Sequence, residues 1–215
     1  MKPSDFMLGL LDFLAILLPG AVATWLLTQY LEQLPPGFGY VRDLGTTESP
    51  LPWVVVVFTS YALGHFVFMA GSRLDPVYDR WRKRTKPEES DRNYSAAREL
   101  HHRLTPQLAY PELSTLKWAR TYILLHAQPA CAEIDRLEAS SKFFRSMVVV
   151  SALAVAHFLL TVGEPVFAVQ SATLCALSFW RYCEERWKMT ELAYVTVIVL
   201  HDTKVAKADQ NGATG

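Results

Sequence analysis

Two ionisable residues interrupt long apolar stretches of the sequence. Asp12 lies in a stretch from about Phe6 to Leu31, and His65 lies in a second stretch from Leu51 to about Gly71. Each is about six residues from one end of its stretch, so both would sit ~9 Å deep if these stretches crossed a bilayer. A charge left unpaired there is costly, so we expect an ion pair or hydrogen bond between them. Such a pair would have a role in the protein's function, or it would be a structural contact that holds two helices together.

A second pair of residues points to nuclease chemistry. Arg120 and His126 are separated by five residues on one predicted helix, a spacing that resembles the Arg–His motif of HEPN-type ribonucleases. The resemblance implies that these two residues would be catalytic. Thr121 follows Arg120, where that family commonly has a strongly polar residue, and apolar side chains fill most of the gap. Arg and His also occur this close on a helix by chance.

A basic run follows the second apolar stretch. It consists of Arg80, Arg82, Lys83, Arg84 and Lys86. Such a cluster attracts anionic lipid headgroups, at about 1 kcal/mol for each charge near the surface. The alternative is a phosphate-bearing ligand or a nucleic acid, but the net charge of zero does not favour a nucleic-acid partner.

Metal and cofactor chemistry has little support in the sequence. His101 and His102 would point about 100° apart on a helix, and no carboxylate pair completes a ligand set. Cys131, Cys175 and Cys183 show no Cys-x-x-Cys spacing and are expected to be inert thiols. There is no phosphate-binding glycine loop, nucleophile elbow or zinc-protease helix. We therefore expect neither cofactor nor metal, and an enzyme is the less favoured class.

Four apolar segments would position these residues. They run from about Phe6 to Leu31, from Leu51 to Gly71, from Met147 to Val162 and from Val166 to Trp180. A span needs about 20 residues, so the fourth must extend into its flanks. The first could instead be a secretory signal peptide cleaved after Ala23, but its apolar run continues past that point. The predicted fold is all-α, with four transmembrane helices and a helical cytosolic insertion between spans 2 and 3.

The expected domain boundaries follow from these segments. We expect a transmembrane hairpin over 1–72, a cytosolic helical domain over 73–145, a second hairpin over 146–182, a cytosolic helical extension over 183–203 and a disordered tail over 204–215. Within the cytosolic domain, Asp75 followed by Pro76 predicts a helix N-cap. No breaker separates the last helix of this domain from the third span, nor the fourth span from its extension, so both helices should be continuous.

Small residues recur at four-residue intervals in three of the predicted spans. They are Ser60 and Gly64 in the second span, Ala152 and Ala156 in the third, and Ala168, Ala172 and Ala176 in the fourth. Small side chains at this spacing let membrane helices approach closely. We expect packing within a four-helix bundle, with contacts between the subunits of a homo-oligomer as the alternative.

Basic residues are segregated along the chain. Fourteen Lys and Arg lie between Arg73 and Arg145 and five follow Trp180, whereas the loop between the first two spans contains only Arg42. The positive-inside rule then predicts that the polar domain and both termini are cytoplasmic and that the spans cross the bacterial inner membrane.

Two hairpins of spans that flank a helical cytosolic domain resemble small bacterial inner-membrane proteins of anti-phage defence loci. This likeness of architecture implies an oligomeric, channel-like effector that perturbs the membrane in response to a cytosolic signal or partner. The alternatives are a membrane anchor or scaffold that recruits a cytosolic protein, and a membrane-bound enzyme such as a HEPN-like nuclease.

Overall fold

The structure, a computed structural model, describes the backbone of residues 3–31, 51–85, 91–105 and 114–212. Side chains are described over the same ranges except at 3–12, 30–31, 51–52, 207–209 and 211–212. The loop between the first two predicted spans, Lys86 and the side chain of Asp12 therefore lie outside the described residues.

The regular elements in the described ranges are all helices. In chain order they are α1 (Pro3–Leu31), α2 (Leu51–Gly71), α3 (Asp75–Thr85), α4 (Arg92–Leu104), α5 (Thr115–His126), α6 (Gln128–His157) and α7 (Pro165–Gly212). A 3-10 turn, Ser72–Leu74, joins α2 to α3, and a π-helical turn, Phe158–Val162, follows α6. Gly163 has a φ of 72°, a left-handed conformation that favours glycine, and it separates α6 from α7. The all-α prediction is confirmed.

Local signals account for several helix boundaries. The side chain of Asp91 caps α4 by accepting a hydrogen bond from the amide two residues later, at 2.9 Å. Ser114 caps α5 in the same manner, at 3.4 Å from the amide three residues later. The predicted N-cap at Asp75 is wrong. Its backbone is itself right-handed helical (φ −56°, ψ −44°), because the chain stays helical from Gly71 through the 3-10 turn.

The amino-acid composition changes along each of the two longest helices, which have a polar part and an apolar part. α6 begins among polar residues at Gln128 and ends in an apolar stretch at His157. α7 runs without interruption from Pro165 to Gly212. Both continuous helices are as the sequence predicted. The chain is also helical from Lys204 to Gly212, where the sequence predicted a disordered tail, since neither proline nor glycine precedes Gly212 in that segment.

Two helical stretches are long and apolar enough to cross a membrane. They are Trp53–Thr85, of 33 residues, and Gln128–Val162, of 35 residues. A shorter apolar stretch covers Phe13–Gln29 within the described side chains. The apolar half of α7 does not qualify, because only about 15 residues separate Val166 from the charges that follow Trp180. Two of the four predicted spans therefore coincide with helices that are long and apolar enough to cross a membrane, and the prediction of four spans is not confirmed.

The chain divides into two compact units. Unit 1 comprises Met1–Pro76 and Ala139–Cys183, and unit 2 comprises Val77–Glu138 and Glu184–Gly215. Unit 2 has a conventional hydrophobic core, in which α4, α5 and parts of α6 and α7 bury apolar side chains against one another. Its fully buried members include Ala97, Ile123, Ile134, Tyr194 and Val197.

In unit 1, α1 and α2 approach each other closely enough for backbone contact. A Cβ atom placed on Gly20 would overlap the carbonyl oxygen of Ser60 and lie 2.7 Å from the Gly64 amide nitrogen. A Cβ atom on Gly64 would lie 2.8 Å from Cγ2 of Ile16. The hydroxyls of Thr24 and Ser60 are hydrogen-bonded across the pair at 3.1 Å. Small residues on both helices therefore set this approach, as membrane helix pairs commonly do.

Candidate functional site: a buried arginine–aspartate–tyrosine cluster

A charged cluster lies inside unit 1, where α2 gives way to α3. Arg145 of α6 places Nη1 at 3.2 Å from Oδ1 and 3.3 Å from Oδ2 of Asp75. The hydroxyl of Tyr182 of α7 donates to Oδ1 of the same carboxylate at 2.7 Å. One carboxylate thus connects three segments that are distant in sequence.

The cluster is largely removed from solvent. The side chain of Arg145 is 9% exposed and that of Asp75 is 33% exposed, while Tyr182 is fully buried. The guanidinium carbon of Arg145 lies 4.8 Å from the centroid of the Phe68 ring, a cation–π contact. Nε of Arg145 is buried and has no hydrogen-bond partner among the described residues. Gly71 leaves room for this arginine, since a Cβ there would lie 3.3 Å from its Cγ.

This arrangement can fix helix positions, but it offers no reactive group. Both oxygens of Asp75 face the guanidinium and one also accepts from a phenol, so the carboxylate is satisfied rather than available as a base. Removing Asp75 would leave the buried charge of Arg145 without this carboxylate, which is strongly destabilising. The side chain of Arg145 is turned inwards to Asp75.

The first predicted pair, Asp12 and His65, is described only in part. His65 is exposed, and its ring packs edge-on against Tyr61 at 4.7 Å. Tyr61 in turn stacks on Phe13 of α1 at 5.6 Å. The residue after Asp12 thus lies near the α2 turn that carries His65. Because the Asp12 side chain is outside the described residues, the pair stays a prediction.

The predicted nuclease residues are not brought together by any contact in the described chain. Arg120 binds two carboxylates of α6, Asp135 at 3.1 Å and Glu138 at 2.5 Å. His126 is exposed, its Nδ1 lies 2.8 Å from the carbonyl oxygen of Tyr122, and its ring stacks on that tyrosine. Arg120 therefore links α5 to α6 within unit 2, and the adjacent carboxylates would oppose the binding of a phosphate there.

The basic run on α3 divides into two groups. Arg80, Lys83 and Arg84 are exposed, whereas Arg82 is half-buried with its Nε shielded from solvent. Tyr78, on the inner face of α3, is almost fully buried. Three of the predicted lipid contacts are thus on the solvent-accessible side of α3, Arg82 is turned partly inwards, and Lys86 lies outside the described residues.

The predicted small-residue positions also divide into two groups. Ser60 and Gly64 face α1, and Ala168 is buried within unit 1, whereas Ala152, Ala156, Ala172 and Ala176 are exposed in the single chain.

Metal ligation has no support among the described residues, where no group of three or more His, Cys, Asp or Glu side chains could hold an ion. His101 instead stacks on Trp118 at 4.8 Å, and burial, with a smaller effect from the charge of His102, lowers the pKa of His101. This histidine contributes to packing in unit 2.

Two features of unit 1 were missed by the sequence interpretation. Asp75 was taken for a helix cap, because nothing in the sequence shows that Arg145 and Tyr182 approach it. The contact at Gly20 is the second, and the four-residue spacing from Gly20 to Thr24 matches the spacing of Ser60 and Gly64 on the facing helix. That match could have identified the α1–α2 contact.

No protein-family model, curated protein or solved structure matches this chain. The resemblances to HEPN nucleases and to small defence-associated membrane proteins stay predictions.

Proposed function

We propose that this chain is a four-span protein of the bacterial inner membrane that acts as an oligomeric, channel-like effector in anti-phage defence. In this proposal, a cytosolic signal or partner acts on unit 2, and unit 1 alters the permeability of the membrane.

The main support is the apolar surface of unit 1. Large hydrophobic side chains are exposed along its helices, including Trp53 at 74%, Phe58 at 72% and Leu160 at 84%. Further examples occur on α1 and on the apolar half of α7. Soluble monomers rarely expose contiguous apolar patches larger than a few hundred Å². Lipid tails would cover this surface without a free-energy penalty, so a bilayer is the environment that suits unit 1.

Charge supports the proposed orientation. Unit 2 and its flanks hold most of the basic residues, and the exposed side chains of Arg80, Lys83 and Arg84 follow α2 by only nine to thirteen residues. A basic surface that close to a span is attracted to anionic lipids of the cytoplasmic leaflet. This favours cytoplasmic termini and an interaction of α3 with anionic headgroups.

The continuity of α6 and α7 supports an effector over a passive anchor. Each helix has residues in both units, with no break along its length. The Arg145–Asp75–Tyr182 cluster lies in the segments of unit 1 where these helices become apolar. A movement of α6 or α7 in the cytosol would therefore also displace the segments of the same helix that are embedded in the membrane.

Membrane integration is tested by a matched pair of arginine substitutions. Leu153, exposed in the apolar part of α6, and Leu125, exposed in unit 2, are each replaced by arginine. A central arginine costs about 2.5–3.5 kcal/mol on the insertion scale. We expect Leu153→Arg to release protein from carbonate-washed membranes and Leu125→Arg to leave it there. Wild-type protein that is itself removed by the carbonate wash would refute the membrane assignment.

The effector role is tested with a potential-sensitive dye in cells that carry the protein during phage infection. Depolarisation that depends on the protein is expected. An unchanged potential under every trigger would favour the scaffold function instead.

A scaffold has its own structural support in unit 2. Leu124 and Leu125 at the end of α5 are 58% and 74% exposed, and adjacent apolar side chains of this kind can bind a protein partner. Comparing the proteins that co-purify with the full chain and with Leu125→Arg would test this alternative. The enzyme alternative is less well supported, because Arg120 is held by two carboxylates.

A further inference from the structure

A stripe of polar side chains lies on the inner face of the apolar half of α7. Its members follow one another at intervals of four, three and four residues and are Ser171, Cys175, Ser178 and Tyr182. At about 100° per residue they fall within about 60° of one another around the helix. Ser178 is 3% exposed and Tyr182 is fully buried, while Ser171 and Cys175 are half-buried. The stripe therefore faces the interior of unit 1, and its inner end is the tyrosine that binds Asp75.

The apolar part of α6, which is long and apolar enough to span a membrane, lies alongside this stripe. The thiol of Cys175 donates to the carbonyl oxygen of Val148 at 3.6 Å, and the ring centroids of Phe158 and Phe167 are 5.4 Å apart. Phe158 is ten residues after Val148, and Phe167 is eight residues before Cys175, so the two helices are antiparallel. These two contacts fix which levels of α6 and α7 face each other.

Ser151 of α6 is a buried hydroxyl at the α6–α7 interface. It lies within about 60° of Val148 and about 20° of Phe158 around α6, and both of these residues contact α7. Ser151 is one turn after Val148, so it is level with Ser171, one turn before Cys175. It is 3% exposed, and its Oγ has no hydrogen-bond partner among the described residues. Ordered water commonly satisfies a buried hydroxyl of this kind.

The spacing of the polar stripe suits a chain of side chains connected by single waters. Successive members are three or four residues apart, which is ~4.5–6 Å along the helix axis. Two O–H···O hydrogen bonds of about 2.8 Å span about 5.6 Å, so one water connects each polar atom to the next. A hydroxyl both donates and accepts, so it takes a proton from one neighbour as it passes its own to the next. From Tyr182 to Ser171 this chain is ~16.5 Å long, and at its inner end the side chain of Asp75 is 33% exposed.

Apolar side chains close the α6–α7 interface at its outer end. Beyond Ser171, Ala168 is 3% exposed, and Phe167 then contacts Phe158. The ring centroid of Phe158 is also 6.3 Å from that of Trp25 of α1. Constrictions formed by apolar side chains block permeation by excluding water. The polar chain therefore opens towards the inner side and is blocked towards the outer side.

We propose that the α6–α7 interface is a proton path, in which single waters connect Ser151 and Ser171 to Tyr182, and that the Phe158–Phe167 contact is its closed gate. This inference rests on the proposed membrane insertion and deepens the proposed function by naming the proton as the permeating ion. Because the helices touch where Cys175 meets Val148, a hydrated metal cation is excluded, whereas a proton passes along hydrogen bonds.

The test uses the full chain in phosphatidylcholine–phosphatidylglycerol vesicles that contain the pH-sensitive dye pyranine. The rate of proton leak is measured after a pH step, with valinomycin and potassium present to balance charge. We expect Phe167→Ala to raise this rate about tenfold over the wild type, because it removes the apolar closure. Adding Ser171→Val should return the rate to the wild-type value. Thr173→Val is the matched control, because it removes a hydroxyl from the exposed face of α7 two residues away, and it should leave the raised rate unchanged.

Three results would overturn the inference. A leak in Phe167→Ala equal to that of the wild type would show that the ring contact is not a gate. A raised leak that Ser171→Val does not lower, or that Thr173→Val lowers equally, would show that protons do not follow the α6–α7 interface. In both cases, protein that floats with the vesicles and depolarises infected cells would leave the proposed function intact. Protein that does not float would refute membrane insertion, and the proton path with it. Far-UV circular dichroism of each variant shows that a changed leak is not a loss of helix.

Discussion

Gly20 offers the sharpest test of how α1 and α2 are held together. A Cβ atom there would lie 2.7 Å from the Gly64 amide nitrogen, whereas ordinary contact begins at 3.4 Å. The Gly64 contact alone requires a separation of about 0.7 Å and the overlap with the Ser60 carbonyl oxygen requires more, because packed interiors have little free space to absorb the atom. The Thr24–Ser60 hydrogen bond, now 3.1 Å long, would then exceed hydrogen-bonding distance.

The expected change in the free energy of unfolding combines two costs and one gain of Gly20→Ala. Overpacking costs about 1–3 kcal/mol, and the lost hydrogen bond costs about 1 kcal/mol more. Alanine returns up to about 1 kcal/mol through its better helix propensity. We therefore expect a net destabilisation of about 2 kcal/mol. It is measured from unfolding by sodium dodecyl sulfate in detergent micelles, followed by far-UV circular dichroism.

Gly71→Ala provides the matched control. Gly71 is right-handed helical (φ −57°, ψ −32°), and a Cβ there would lie 3.3 Å from Cγ of Arg145 and 3.5 Å from both its Nε and its carbonyl oxygen, close to ordinary contact. Its free energy of unfolding should stay within about 0.5 kcal/mol of the wild type, because helix propensity offsets the small contact. If Gly20→Ala were as stable as Gly71→Ala, the close approach of α1 and α2 would be refuted.

Three further predictions address the polar groups. Tyr182→Phe should cost about 1.5–3 kcal/mol of stability by removing a hydrogen bond to a charged acceptor, and Asp75→Asn should cost about 3 kcal/mol or more by leaving the arginine uncompensated. Equal stability of both variants and the wild type in the same detergent unfolding assay would contradict the cluster. The pKa of His101 is lowered from 6.5 by burial, so the folded state binds its proton more weakly than the unfolded state. The contribution of the neutral His101 ring to the free energy of unfolding is then complete above about pH 6.5 and declines below it. Thermal unfolding at about pH 7.5 and 5.5 should show this pH dependence, which should be smaller in His101→Phe. Arg120→Ala should lower the free energy of unfolding by about 1 kcal/mol, since its ion pairs are partly exposed, and it should have no effect on RNA cleavage. RNA cleavage by the wild type that is lost in both Arg120→Ala and His126→Ala would reverse this interpretation.

Local composition was enough to predict that the elements are helices and where several of them begin and end. The apolar runs and the absence of breakers predicted the continuous helices α6 and α7, and the Gly163–Pro165 turn between them is where the sequence places it. These features depend on neighbours within a few residues, so the order of residues contains the necessary information. The number of spans was less certain from sequence, because a segment of about 15 residues is too short to identify a span by composition alone.

What only the tertiary structure decided is which residues meet. Asp75 carries an N-cap signature in the sequence, yet it binds Arg145 and Tyr182, which are 70 and 107 positions away. Arg120 and His126 share a helix, yet Arg120 is paired with carboxylates of the next helix. A side chain's partner depends on helix rotation and approach, and these are set by packing over the whole fold. The sequence alone determined that the chain is helical with long apolar segments. The tertiary structure determined that the charges of Asp75, Arg145 and Arg120 connect helices.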